Sequence, residues 1–383
     1  MNSFIAYGKQ WLDDDDIAEV VQTLKSDFLT QGPKIEEFEQ AICKYTGAKH
    51  CVAVSNGTAA LHLAVLALNL GNGEGITTPN TFVASANCLA YCGLTPAFAD
   101  IREDTCNIDL VEIKKRVTDK TKVIVAVDFA GQVADLEEIY DFAKSKGIYV
   151  IEDAAHSIGS SFADGSKVGS NKYSDLTTFS FHPVKTITTG EGGAITTNDE
   201  KIYKQLLLLR SHGITKDPAI LSQNPGPWYY EMQDLGFNYR ITDIQAALGL
   251  SQLRKLDKFA ARRREIVDKY NKAFAKLPNV VTPYEKPGVG SAFHLYVLKI
   301  DFAKIGKTRK EVMEELRKNN VGSQVHYIPA HLQPYYQDTY GYKVGDYPVA
   351  EAYYEQCLSL PLYPKMTDVE VNFVIQKIKI LVS

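Results

Sequence analysis

Three things are missing from this chain of 383 residues, and each absence excludes a class of function. No apolar stretch approaches the ~20 residues that a membrane-spanning helix needs, so we expect no membrane partner. The N-terminal segment MNSFIAYGKQWLDDDD lacks a basic region followed by an apolar run, so we predict no signal peptide. The formal net charge of −4 provides no basic field, and we therefore expect no nucleic-acid partner.

The sequence also has no CxxC pair among its six cysteines, Cys43, Cys51, Cys88, Cys92, Cys106 and Cys357. Cys88 and Cys92 lie four residues apart on a predicted helix, but no second pair of ligands follows them, so we predict no metal site. Free thiols that stay reduced fit a cytoplasmic protein better than a secreted one. We therefore predict a cytoplasmic location.

A dinucleotide-binding fingerprint is absent from its expected place after the first strand. The segment GNGEG at 71–75 resembles part of one, but it follows a predicted helix and precedes a strand, which is the wrong context. This absence weakens the hypothesis of a nicotinamide-dependent dehydrogenase.

What the sequence does contain is an alternation of short apolar runs and helical patterns. Runs such as KVIVAVDF, IYVIEDA and TTFSF are separated by segments such as LEEIYDFAKSKG. This alternation predicts an α/β fold in which a largely parallel sheet is covered by helices. Functional groups should then collect at the C-terminal ends of the strands.

The chain length favours one large domain and one smaller domain. We predict a large α/β domain over residues 1–250 and a small C-terminal domain over residues 251–383. In the small domain the segments HLYVLKID, TRKEVMEELRKNN and VGSQVHYIPA are predicted to form a strand, a helix and a strand. The RRR cluster at 262–264 is interpreted as part of a solvated helix face.

The segment DLTTFSFHPVKTITTGEGGA at 175–194 places a lysine just past a predicted strand. Lys185 is followed by glycines, which let the backbone approach a ligand closely. An amine in this position is suited to a Schiff base with an aldehyde cofactor, pyridoxal phosphate. The alternative is an ordinary surface lysine in a glycine-rich hairpin.

An anion site is predicted where Gly57, Thr58 and Ala59 open an apolar helix after a short strand. Free N–H groups at the positive end of the helix dipole suit a phosphate monoester. Ser180, five residues before Lys185, could donate its hydroxyl to the same phosphate. The alternative is a well-capped core helix.

Three further residues could contact the ring of such a cofactor. Asp153 follows the apolar run IYVIE, where it could keep a pyridine nitrogen protonated or cap the next turn. His156 could pack near the ring or orient Asp153, and a satisfied core histidine is the alternative. Phe82 in PNTFVAS could stack on the ring or belong to the core.

Together these segments resemble one protein family. SNGTAALH, PNTF, IEDAAHS, SFHPVKTITTGEGG and LGFNYRITDIQAALG, in this order and at these spacings, are similar to the DegT/StrS family of sugar-nucleotide aminotransferases. The resemblance implies fold type I of the PLP-dependent transferases (aspartate aminotransferase-like), with a large mostly parallel sheet domain and a small C-terminal α+β domain. Within the family, SFHPVK and LTQGP resemble the transaminase that makes UDP-4-amino-4,6-dideoxy-N-acetyl-β-L-altrosamine in pseudaminic acid synthesis.

The resemblance implies a role for each matching residue. Lys185 would bind the cofactor covalently, and Asp153 would face its ring nitrogen. The phosphate would be held by Thr58, Ala59 and Ser180.

The resemblance also implies a homodimer with shared active sites. Asn238 would reach the phosphate of the neighbouring subunit's cofactor, and Arg240 would contact either a diphosphate or the carboxylate of the amino donor. The residues that match the sugar-nucleotide pocket are Tyr7, Leu29, Thr30, Gln31, His326 and Tyr327.

We therefore predict a PLP-dependent aminotransferase with pyridoxamine phosphate as its intermediate. It would move an amino group from an amino-acid donor, expected to be glutamate, to C4 of a UDP-linked 4-keto-6-deoxy-N-acetyl sugar. Three alternatives stay open: a transaminase for another nucleotide-linked 4-keto sugar, a sugar dehydratase on the same scaffold, and a non-catalytic regulator that binds a sugar nucleotide. The dehydratase fits poorly, because that branch carries a histidine where Lys185 stands. The segment NPGPWYYEMQD at 224–234 has no confident match in the family.

Overall fold

The computed structural model describes residues 3–382, and its largest feature is a seven-stranded sheet. The strands are short and mostly buried, as expected for a sheet that is covered on both faces. In chain order they are β1 (His50–Val54), β2 (Gly73–Thr77), β3 (Leu94–Phe98), β4 (Thr121–Val127), β5 (Tyr149–Asp153), β6 (Leu176–Ser180) and β7 (Gly193–Thr197).

The strands lie side by side in the order β1-β7-β6-β5-β4-β2-β3. The five strands β6, β5, β4, β2 and β3 are parallel to one another, whereas β7 is antiparallel to both β6 and β1. Parallel neighbours need crossover connections, which the helices between the strands provide. The predicted α/β fold with a largely parallel sheet is confirmed.

Both faces of the sheet carry a hydrophobic core. Val123 and Val125 of β4 belong to one buried cluster, whereas Ile124 and Ala126 belong to another. Alternate residues of a strand point to opposite faces, so each cluster packs under its own layer of helices. The helices of this part are α1 (Asp14–Leu24), α2 (Pro33–Thr46), α3 (Gly57–Leu66), α4 (Ala84–Tyr91), α5 (Leu110–Arg116), α6 (Leu136–Ser145), α7 (Glu200–Arg210) and α8 (Asp243–Leu253).

A two-stranded ribbon of β8 (Ile214–Thr215) and β9 (Glu231–Met232) follows α7. The C-terminal part then forms an antiparallel sheet in the order β10-β11-β12 with its own buried cluster. Its elements are α9 (Leu256–Phe274), β10 (Val280–Val281), β11 (Tyr296–Ile300), α10 (Arg309–Lys318), α11 (Pro334–Tyr340), α12 (Pro348–Gln356), β12 (Cys357–Leu360) and α13 (Asp368–Val382). The domain division at residue 250 stays a prediction.

Two sequence-based interpretations of this part are wrong. The segment VGSQVHYIPA does not form a strand, because Val321 bridges Ile5 while Gln324 bridges Ser359, and these isolated pairings make no continuous ladder. The RRR cluster is not wholly on a solvated face, because Arg263 is 1% exposed. Only its two neighbours form surface ion pairs.

No helix within residues 3–382 is long and apolar enough to cross a membrane. The same residues contain no group of three His, Cys, Asp or Glu side chains that could hold a metal ion. The six cysteines are free, and four of them are buried.

Candidate active site

A cavity of about 770 Å³ lies at the C-terminal ends of the central strands. Val127, Asp153 and Ser180, at the ends of β4, β5 and β6, contribute to its wall. The first turn of α3 closes one side, and residues 294, 326 and 327 reach it from the C-terminal part. Parallel strands end at the same edge of the sheet, which is why these side chains converge.

Lys185 lies in this cavity wall, on the loop between β6 and β7. Its backbone N–H donates to the His182 carbonyl at 2.9 Å, which fixes the loop beside the strand end. Its amine forms no hydrogen bond or ion pair with any residue between 3 and 382. Burial lowers the pKa of the Lys185 ammonium to about 8, although the Asp153 carboxylate opposes this shift. A substantial fraction of the amine is therefore neutral near pH 8 and can act as a nucleophile.

Asp153 is the last residue of β5 and is 3% exposed. Ser85 donates its hydroxyl to one carboxylate oxygen at 2.6 Å, and the backbone N–H of Ala155 donates to the other at 3.2 Å. Burial raises the pKa of Asp153, while Ser85, Ala155 and Lys185 oppose the rise. These three groups therefore help the carboxylate stay ionised in a buried position.

The start of α3 faces Ser180 at very short range. A Cβ added at Gly57 would lie 2.8 Å from Cβ and 3.0 Å from Oγ of Ser180, so only glycine fits without a shift. Asn56 caps the helix by accepting the N–H of Ala59 at 2.8 Å. Within the described chain, the N–H groups of Gly57 and Thr58 and the Ser180 hydroxyl have no hydrogen-bond partner. These donors at a helix N-terminus suit a phosphate group.

His156 is buried and held by two polar contacts. The backbone N–H of Ala130 donates to its Nδ1 at 3.2 Å, so the proton of the neutral ring is on Nε2. Nε2 can then donate to the Tyr327 hydroxyl at 3.1 Å. Burial lowers the pKa of His156 well below its ordinary value, and Lys185 and His326 add to this effect. His156 forms no hydrogen bond with Asp153, so the structure does not show the orienting role that was one of its predicted options.

Four more predicted residues line the same cavity: Phe82, Tyr7, His326 and Tyr327. Phe82 is 59% exposed, so the alternative of a core residue is wrong. Its ring centroid lies 6.3 Å from that of Tyr327, and the rings of Tyr7 and His326 are 5.6 Å apart. His326 contacts the Ser359 hydroxyl through Nδ1 at 2.7 Å, and burial lowers the pKa of His326 to about 4.

Five predicted site residues do not line the cavity of this chain: Leu29, Thr30, Gln31, Asn238 and Arg240. They are connected to one another through the backbone around α8. Thr30 bridges Thr242, and the Leu29 carbonyl accepts the N–H of Asp243 at 3.0 Å. The first three residues and the segment 238–240 therefore form one surface, which contacts the cavity only through Tyr239.

Several residues of the cavity wall were missed by the sequence analysis, among them Ser85, Tyr239 and His294. Ser85 ends the PNTFVAS segment, where a serine one turn after Phe82 was a usable signal. Tyr239 lies between two predicted site residues. His294 comes just before β11 and lies outside every cofactor motif that the sequence contains, so no local pattern marks it.

Comparison with known proteins gives a consistent relationship. A model of the DegT/DnrJ/EryC1/StrS aminotransferase family matches residues 10–379. The spore coat polysaccharide biosynthesis protein SpsC of Bacillus subtilis (strain 168) is 43% identical over 384 residues, which cover 100% of this chain and 98% of SpsC.

Two solved structures share the fold over nearly their whole length. PseC of Helicobacter pylori, an aminotransferase involved in the biosynthesis of pseudoaminic acid, superposes with a TM-score of 0.91 at 32% identity and covers 99% of both chains. Spr1654 of Streptococcus pneumoniae in its PLP form gives a TM-score of 0.89 at 32% identity, covering 99% of this chain and 98% of that one. The predicted resemblance and the predicted fold are confirmed, and this chain belongs to the DegT/DnrJ/EryC1/StrS aminotransferase family.

Proposed function

We propose that this aminotransferase uses pyridoxal phosphate to move an amino group from glutamate to C4 of a UDP-linked 4-keto-6-deoxy-N-acetyl sugar. The observation that carries the proposal is the presence of Lys185 and Asp153 in one cavity, beside the donors at Gly57 and Ser180. The similarity to PseC supports the sugar substrate. Spr1654, which has been solved in both a PLP form and a PMP form, supports the cofactor.

The chain offers a partner for each end of this cofactor. The N–H groups of Gly57 and Thr58 would hold the phosphate together with the Ser180 hydroxyl, whereas the N–H of Ala59, also predicted for this role, is donated to Asn56. Asp153 would face the ring nitrogen and keep it protonated. When bound, pyridoxal phosphate supplies an electron sink for the carbon that gains or loses the amino group.

Lys185 would do the acid–base work of the reaction. Its pKa of about 8 allows the amine to accept a proton from one carbon and return it to another near neutral pH. Asp153 stays in place because Ser85 holds one of its oxygens. Both ring nitrogens of His156 are hydrogen-bonded within the chain, so this neutral ring would pack against the cofactor and would not act as an acid.

The rest of the cavity would receive the substrate. Its volume of about 770 Å³ is in the range of sites that enclose a ligand of cofactor or nucleotide size. Phe82, Tyr7, His326 and Tyr327 line it with aromatic and hydroxyl groups. His326 is uncharged at neutral pH because its pKa is about 4, so it would bind sugar hydroxyls without adding a charge.

A homodimer with shared active sites would explain the five predicted residues outside the cavity. The chain just before Asn238 carries exposed apolar side chains, among them Trp228 and Leu235, which are 70% and 74% exposed. Exposed apolar groups of this kind mark interaction surfaces. In such a dimer Asn238 would contact the partner's cofactor phosphate, and Arg240 with residues 29–31 would contact the partner's substrate.

A subunit-mixing experiment tests this arrangement. We would mix an inactive Lys185→Ala variant with an inactive Arg240→Ala variant after mild dissociation. If each site combines Lys185 of one subunit with Arg240 of the other, random hybrids recover about a quarter of wild-type activity. If both residues serve the same subunit's site, every hybrid site lacks one of them and no activity returns.

One observation favours a second candidate, a transaminase for another nucleotide-linked 4-keto sugar. Identity to SpsC is 43%, whereas identity to PseC is 32%. A panel of UDP-, GDP- and TDP-linked 4-keto sugars with glutamate, with products identified by mass and NMR, decides between the two. A non-catalytic regulator would bind these sugars but would leave the colour of the bound cofactor unchanged when glutamate is added.

The domain division at residue 250 and the cytoplasmic location remain part of this proposal. The separate buried cluster of the C-terminal part supports the domain division, although Ile5 of the N-terminal part also belongs to that cluster. Six free cysteines support the second. Limited proteolysis and fractionation of the source cells, respectively, test them.

A further inference from the structure

The long helix α9 contains a buried arginine with no acidic partner. Arg263 lies on the same helix face as Phe259, Ile266 and Tyr270, and it is 1% exposed. No carboxylate in the described range forms an ion pair with it, and its Nε has no hydrogen-bond partner. A buried cation without an acidic partner destabilises the fold, so an apolar side chain would be more favourable at this position.

The Arg263 guanidinium instead binds three backbone carbonyls, one of which belongs to a residue of the cavity wall. Its Nη1 donates to the carbonyl of Leu362 at 2.9 Å, of His294 at 3.1 Å and of Phe293 at 3.4 Å. Two of these acceptors are consecutive residues, and the second of them lines the cavity that contains Lys185. The arginine is therefore one residue away from the site while it touches neither Lys185 nor Asp153.

The backbone that Arg263 holds is strained. Phe293 has a φ of 46°, in the left-handed region that a bulky side chain rarely adopts. Strained conformations persist where the surrounding contacts over-determine them, and they cluster at active sites. Here the contacts include the Ser160 hydroxyl, which accepts the N–H of Ala292 at 2.9 Å, and the carbonyl contacts of Arg263.

This backbone presents the His294 ring to the cavity. The ring is buried, and its centroid lies 4.5 Å from that of His156. The groups with the largest electrostatic effect on His294 are His156, Lys185, Arg263 and His326, and none of these four is an anion. Burial, helped by these groups, lowers the pKa of His294 well below its ordinary value. A proton on His294 would therefore place a second cation in the cavity beside Lys185.

We propose that Arg263 is a positioning residue for the aminotransferase site: it holds the carbonyls of Phe293 and His294, and it thereby keeps the His294 ring packed against His156. The function of the contact is to hold His156 in one orientation as a neutral hydrogen-bond donor to Tyr327. This inference rests on the proposed site at Lys185.

The direct test follows the two histidines in the holoenzyme by ¹⁵N NMR, with His294→Asn and His156→Asn variants for assignment. In the wild type, both imidazoles should stay neutral well below pH 6.5, the ordinary value for histidine. In Arg263→Met, which removes the carbonyl contacts and the charge, both should titrate about one unit higher or more. This readout does not need turnover, so it still applies if the proposed reaction is wrong.

Kinetics provide the second readout. In Arg263→Met the acidic limb of the kcat/KM profile should move to higher pH, and activity at pH 7 should fall about 10-fold. Arg263→Lys keeps the charge and three donors, so it should recover most of the wild-type profile. The matched control is Arg262→Gln, the adjacent surface arginine, which pairs with Glu265 and should leave the profile unchanged.

A double mutant separates positioning from general stability. If Arg263 acts through His294, adding Arg263→Met to His294→Asn should change kcat/KM by less than about twofold, because coupled residues are not additive. Independent, multiplicative losses would overturn the proposal, as would unaltered histidine titrations in Arg263→Met with only a lower melting temperature. If Arg263→Met does not fold, the wild-type protein alone provides a test. A pKa near 6.5 for His294 or for His156 in the wild type would also overturn the proposal.

Discussion

Gly57→Ala tests the phosphate site with a single methyl group. The added Cβ would lie 2.8 Å from Cβ and 3.0 Å from Oγ of Ser180. Carbon atoms pack at about 3.5–4.0 Å, so the first turn of α3 and the end of β6 must separate by roughly 1 Å. Gly57 does not have a positive φ, so the effect comes from this contact and not from backbone strain.

The expected magnitude follows from what this separation disturbs. Overpacking of this kind costs about 1–3 kcal/mol of stability. The displacement also moves the Ser180 hydroxyl away from the N–H groups of the helix, so the phosphate loses at least one charge-assisted hydrogen bond. Such a bond contributes ~1.5–3 kcal/mol, which corresponds to a dissociation constant ~10–150-fold higher.

The assay is an equilibrium titration of the apoprotein with pyridoxal phosphate and, separately, with pyridoxal, which has no phosphate. Gly57→Ala should raise the dissociation constant of pyridoxal phosphate ~10–150-fold and that of pyridoxal by less than about twofold. Gly8→Ala is the control, because its Cβ would make an ordinary 3.6 Å contact with Val184 beside the same cavity. Equal weakening of both ligands, or of neither, would refute the assignment of the phosphate to this site.

Three further predictions concern ionisable groups of the site and its surroundings. Because the pKa of Lys185 is lowered to about 8, the neutral amine predominates above that pH. The rate of covalent loading with pyridoxal phosphate should therefore be half-maximal near pH 8. A midpoint near 10.5, the ordinary pKa of lysine, would contradict this prediction. Asp153→Asn should lower kcat at least ~100-fold, whereas Ser85→Ala, which removes one hydrogen bond to that carboxylate, should lower kcat about 10-fold. Steady-state kinetics in which Ser85→Ala lowers kcat more than Asp153→Asn would contradict these roles. Burial raises the pKa of Glu152 to about 7, so between pH 4.5 and 7 the folded chain holds a proton that the unfolded chain has released. The free energy of unfolding should therefore fall as the pH rises through this window. Glu152→Gln should make this pH dependence flatter in urea titrations, and an unchanged dependence would show that other groups cause it.

The sheet and the centre of the site could be predicted from the sequence because the signals are local. The apolar run IYVIE forms β5 and places Asp153 at its end, and TTFSF forms β6 and leads into the Lys185 loop. In a parallel sheet these ends meet at one edge, so strand ends alone bring the two residues into the same cavity.

The residues that were missed depend on contacts between distant parts of the chain. His294 reaches the cavity from the backbone before β11, which is hydrogen-bonded to Arg263 and Ser160 from distant parts of the chain. The burial of Arg263 itself could have been predicted from the helical period. Arg263 lies four residues after Phe259, on the face where an amphipathic helix is apolar. The cluster of three arginines obscured that period.

The surface residues show a different kind of limit. Asn238, Arg240 and Leu29 match family positions, but the cavity of a single chain does not include them. A sequence specifies which residues are present, whereas whether such residues complete the cavity of their own subunit, of a partner or of neither depends on the assembly. The subunit-mixing experiment therefore carries information that neither motif spacing nor one chain provides.

The central claim is that Lys185 carries the cofactor, and borohydride reduction of the loaded protein followed by peptide mass spectrometry tests it most directly. Reduction fixes a lysine–cofactor adduct permanently, so its position can be read from the fragment masses. The account predicts one pyridoxyl group per chain, on the peptide that contains Lys185, and none in Lys185→Ala. A stoichiometric adduct on another lysine, or no adduct in active protein, would contradict it.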